Sequence, residues 1–117
     1  MISLIQGEDK ILQFDLKDAA GNAVNFADLP EVNVMLSIDG QAVFLWSKTV
    51  QSGKARVIAV IGNPSRCKVV LSRIVTQYLP EGRIAKLEIT TFQTDADIAN
   101  NRAETTQATM YKIKARL

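Results

Sequence analysis

The sequence predicts an all-β fold, an antiparallel sandwich of seven or eight short strands with one short helical crossover. Three observations carry that reading. Apolar and polar residues alternate with a period of two in segment after segment, as in Leu12-Gln13-Phe14-Asp15-Leu16. Gly, Asn, Asp and Pro punctuate the chain at strand-length intervals. An Asp39-Gly40 pair stands between two apolar runs, where a type I′ hairpin turn needs positive φ at both central positions. At 117 residues the chain suits one hydrophobic core, so residues 1–117 are read as a single domain.

Taken in order, Ile2 to Ile5 forms a first strand that ends at the Gln6-Gly7-Glu8 turn. Leu12, Phe14 and Leu16 alternate with Gln13, Asp15 and Lys17 in a second, with one face buried and the other solvated. Asp18 to Asn22 turns the chain, and Asn25 to Pro30 connects across the edge of the sandwich. Val34, Leu36 and Ile38 alternate with Asn33, Met35 and Ser37 in a third strand, which Asp39-Gly40 joins to a fourth over Ala42 to Val50. In that fourth strand Phe44 and Trp46 share one face and Val43 and Leu45 the other, so it is apolar on both sides.

Ser52-Gly53 makes the next turn, before a strand rich in β-branched residues from Ala55 to Ile61. Gly62-Asn63-Pro64-Ser65 closes it, and Cys67, Val69 and Leu71 begin a shorter one. Leu71, Ile74, Val75, Tyr78 and Leu79 then fall on one helical face, with Ser72 as N-cap and Pro80 as terminator: one or two helical turns crossing between sheets. Pro80-Glu81-Gly82 leads into a strand with Ala85, Leu87 and Ile89 facing one way. Gln93 to Arg102 is polar and is expected to be a mobile loop, followed by a threonine-rich last strand from about Glu104 to Ala115.

Composition narrows the function classes. The 14 basic and 12 acidic side chains give a net charge of +2 without a block of one sign, so neither nucleic acid nor anionic lipid is an expected partner. Apolar stretches such as Val57 to Ile61 fall far below the roughly 20 residues of a membrane span, and the opening MISLIQGEDK lacks the basic start of a signal peptide. The chain is therefore expected to fold where it is synthesised. Cys67 is the single cysteine, read as a small apolar core residue, and the absence of histidine removes the commonest general base and zinc ligand. A non-catalytic protein without a cofactor is the expectation.

Each candidate site has a plainer alternative. Asp95-Ala96-Asp97, with Asn100, Asn101 and Glu104 nearby, has spacing that can hold a divalent cation, but a solvated loop is favoured. Glu8-Asp9 reads as a charged turn. Ser47-Lys48 and Ser65 are serines for which only lysine is available as a base, and no Ser-x-x-Lys signature or nucleophile elbow positions them. In Gly62 to Arg66 the proline removes an amide donor that a phosphate cradle needs. The more informative pattern is Phe44 and Trp46 opposite Val43 and Leu45. Such a strand is either packed on both faces or an edge whose second face meets a partner. Phe44 and Trp46 are the candidate partner-interface residues, with Trp46 as first anchor and Arg56, Arg66 and Arg73 as a possible rim.

Gly7-Glu8-Asp9 before the strand Leu12 to Asp18, then Gly21-Asn22-Ala23-Val24 and Phe26 to Leu29, and later Leu71 to Leu79 followed by Pro80-Glu81-Gly82-Arg83-Ile84-Ala85, together resemble the immunoglobulin-like N-terminal domain of the baseplate upper protein family of tailed phages. The resemblance implies an immunoglobulin-like antiparallel β-sandwich. It implies an attachment module of a phage tail or baseplate that contacts other tail or baseplate proteins, or copies of itself, in the virion or in the host cytoplasm before assembly. It brings no catalytic residues. The rival reading is a carbohydrate-binding or cell-surface adhesion module, which requires exposed aromatics beside convergent polar groups.

Overall fold

Alternating burial is what turns these segments into two packed sheets. The computed structural model describes residues 2–51 and 53–116; Ser52, half of the expected Ser52-Gly53 turn, lies outside them. Eight strands form: β1 (Ile2–Ile5), β2 (Lys10–Asp15), β3 (Glu31–Ile38), β4 (Gln41–Ser47), β5 (Ala55–Val60), β6 (Asn63–Leu71), β7 (Ile84–Phe92) and β8 (Thr105–Lys114). Two helices, α1 (Arg73–Thr76) and α2 (Asp95–Ala99), and a 3-10 turn over Phe26–Asp28 interrupt them.

One sheet has five strands in the order β1-β8-β7-β3-β4, and the other has three in the order β2-β6-β5. With β2, β3, β5, β6, β7 and β8 taken as strands B, C, D, E, F and G, the sheets are the B-E-D and C-F-G sets of an immunoglobulin-like sandwich, with β4 added beside C. The core lies between them. Leu36 and Leu87, directly paired on β3 and β7, face Val57 and Val69, directly paired on β5 and β6, and all four are fully buried.

Four expectations need correction. The sandwich is not wholly antiparallel, because β1 runs parallel to β8 with Ile2 beside Tyr111 and Ile5 beside Lys114. Gly7, at φ +74°, turns the chain from that sheet to the other, and the Gln6 amide extends the pairing by donating to the Lys114 carbonyl at 2.9 Å. β6 begins at Asn63, inside the expected turn. Pro64 is tolerated there because it lies beyond the end of β2 and in the stretch where the β5–β6 register breaks, so no regular ladder needs its missing amide.

The segment expected to be a loop from Gln93 to Arg102 contains α2, so there is more than one short helix. Thr94 caps it by accepting from the Asp97 amide at 3.1 Å, and Asp95 and Asp97 place negative charge in its first turn. Lastly, Ser72 precedes α1 as expected but makes no side-chain cap. The Arg73 amide donates instead to Asp9 Oδ1 at 2.6 Å.

Candidate functional site

The β3–β4 hairpin decides which face of β4 is available. Asp39 and Gly40 both have positive φ, at 52° and 82°, as a type I′ turn requires. That turn sets the register: Trp46 lies opposite Val34 and Leu45 opposite Met35. Val34 is a core residue, so Trp46 points inward with it and is 5% exposed. Phe44, half-buried, packs edge-on against the Trp46 ring with centroids 5.9 Å apart. Of the interface residues expected on this strand, Trp46 is therefore interior and Phe44 only half-buried, and the outward large residues are Val43, 51% exposed, and Leu45, 70% exposed.

β4 is the terminal strand of its sheet, and it carries exposed apolar side chains on a face without a covering layer. Leu36 pairs with Phe44 and Ser37 with Ala42, so Val43 is an extra residue, a bulge that breaks the strand's regularity. On the outer face Leu45, Met35 and Val50 border a shallow depression of about 420 Å³ that Phe92 and Asn101 also line. On the core side of the same edge Val43, Phe44, Ile74, Tyr78 and Pro80 line a second groove of about 280 Å³, in which Lys54 is the ionic side chain. Val43 borders this groove and Leu45 the outer depression, so β4 presents one apolar margin between two hollows.

The remaining candidates are placed in structural work. Ser47 Oγ accepts from the Val50 amide at 3.0 Å, and Lys48 Nζ donates to the carbonyls of Phe26 and Leu29 at 2.8 and 2.7 Å while lying 4.7 Å over the Phe26 ring. The pair thus pins the β2–β3 connection to the end of β4. Ser65 Oγ donates to Asn25 Oδ1. Asp95 and Asp97 sit on α2, Glu104 accepts from the Ala19 amide, and among the described residues no three His, Cys, Asp or Glu side chains gather to hold a metal. Arg56 and Arg66 belong to the three-stranded sheet, where Arg66 pairs with Asp15 at 2.9 Å, and Arg73 begins α1, so the three arginines stand on three different elements. Cys67 is fully buried, and burial pushes its thiol up to about 11, against a weaker opposing hydrogen bond from its backbone.

The Glu8-Asp9 turn has a role that sequence reasoning missed. Asp9 caps α1, and Thr76 Oγ1 donates to the Glu8 carbonyl at 2.8 Å, so this turn seats the helix that walls the second groove. The two segments are more than sixty residues apart, and no local pattern joins them. The chain matches no model of a known protein family and no curated protein.

Proposed function

We propose that this chain is a non-catalytic structural module of a phage tail or baseplate that attaches to a neighbouring protein through the β4 margin. The observation that carries the attachment is the exposure of Val43 and Leu45 on a terminal strand, Leu45 beside Met35 and Val50 and Val43 beside the second groove. Fully covering one such side chain is worth about 1.5–3 kcal/mol, so a partner over this margin gains several kcal/mol before any polar contact. The resemblance to the baseplate upper protein family supports the choice of setting. The sugar-binding alternative needs an open aromatic beside convergent polar groups; Trp46 lies in the core, and the exposed Tyr78 borders the apolar second groove, where Lys54 is the one other polar side chain among the described lining residues.

Pulldown from purified tail and baseplate components tests the reading. The chain is expected to be retained by one of them, and Val43→Lys with Leu45→Lys is expected to abolish retention while leaving the melting temperature nearly unchanged. Failure to bind any component, together with absence from purified virions, would overturn it.

A further inference from the structure

The strand edges of this sandwich are not equally protected. β4 carries the Val43 bulge, and β5 is shielded because Gln51 donates to the Val57 carbonyl at 2.9 Å and accepts from the Val57 amide at 3.3 Å, standing in for a neighbouring strand. β2 has neither device. Its register with β6 is unbroken from Lys10 to Asp15, it contains no proline, and it ends its sheet because β1 pairs with β8 instead.

Hydrogen-bond alternation fixes which groups face outward. The Leu16 amide donates to the Ser65 carbonyl at 2.8 Å, so Phe14 and Leu12 are the residues bonded to β6, and Ile11, Gln13 and Asp15 aim their main-chain groups away from it. Gln107 Nε2, donating to the Asp15 carbonyl at 2.7 Å, agrees with that direction and closes the edge there. The amides and carbonyls of Ile11 and Gln13 remain directed outward. Such a row is met by another extended chain and by no compact ligand.

The side chains around the edge state what that chain must carry. On the core side Leu12 and Phe14 are only half-buried, and Phe14 borders an open cleft of about 520 Å³ between β2 and β8. On the outer face of this sheet Asp15 and Arg66 neutralise one another, whereas Lys68, opposite Gln13, and Arg56 leave two positive charges. We infer that the β2 edge receives an extended segment of a partner polypeptide whose side chains alternate, apolar toward Leu12 and Phe14 and acidic toward Lys68.

This edge is on the opposite sheet from the β4 margin, so its test is independent of the pulldown above. Amide exchange is followed by NMR on the whole chain, alone and with synthetic peptides of alternating Val and Glu or alternating Val and Lys. Alone, the Ile11 and Gln13 amides are expected to exchange faster than those of Leu12 and Phe14. The Val/Glu peptide is expected to protect Ile11 and Gln13, the Val/Lys peptide to protect them far less, and Lys68→Glu to reverse that preference. Gln13→Pro, which removes an outward amide, is expected to eliminate protection of Ile11 without loss of the fold. Slow exchange of Ile11 and Gln13 in the chain alone, or no protection by the Val/Glu peptide, would overturn the inference. So would protection that grows with protein concentration, which would put a second copy on this edge.

Discussion

Trp46 and Cys67 carry the clearest consequences at the scale of single residues. Alternation along Ala42 to Val50 showed two apolar faces but could not say which was inward, because the choice is made by the partner strand through the Val34–Trp46 pairing. Trp46→Ala should therefore cost about 3–5 kcal/mol of stability, and Leu45→Ala within about 0.5 kcal/mol of nothing, as read by urea denaturation. Equal losses would mean that the inward and outward assignments are wrong. Cys67 makes stability depend on pH. Its ordinary pKa of 9.0 applies to the unfolded chain, while burial raises it to about 11 in the folded one. The folded state keeps the proton longer, so the stabilisation is complete below about pH 9 and falls as pH rises toward 11, by up to about 2–3 kcal/mol. Burial raises Tyr111 as well, adding a loss of the same sign. Cys67→Ala should flatten the decline without removing the Tyr111 part; a variant that declines as steeply as the parent would show that the thiol is not responsible.

Elements with one wet and one dry face were legible in the chain itself. β2, β3 and β7 follow the period of two, and the Asp39-Gly40 turn adopts the backbone its residues favour. α2 was harder to see because none of its residues is buried, so no apolar stripe marks it; the sign that was present is Thr94 followed by Asp95 and Asp97. α1 was visible by its apolar face but not by its cap, since Asp9 arrives from another part of the chain. Asp9→Ala is expected to destabilise the protein by about 1 kcal/mol and to speed amide exchange across Arg73–Thr76. Unchanged exchange there would leave the Asp9 contact without energetic weight. Ser72→Ala, whose hydroxyl makes no cap, should be milder.

For the molecule as a whole, the strand segments were legible but their distribution between sheets was not. No local pattern says that β1 joins β8, because the signal lies in which partner offers Leu4 a buried site; Leu4 and Ile113, paired across that ladder, are both almost fully covered. Since first and last strands must meet, and β2–β6 and β3–β7 also pair across long stretches of chain, refolding should take milliseconds to seconds, as stopped-flow tryptophan fluorescence would record. Microsecond refolding would contradict this topology. The same parallel clasp has a mechanical meaning. Tension applied at residues 2 and 114 pulls β1 and β8 lengthwise in opposite senses, so the bonds along Ile2–Ile5 are loaded together in shear and do not unzip one by one. A domain tethered at those points would yield abruptly at a high force, as a latch does, and hold its shape under lesser pulls.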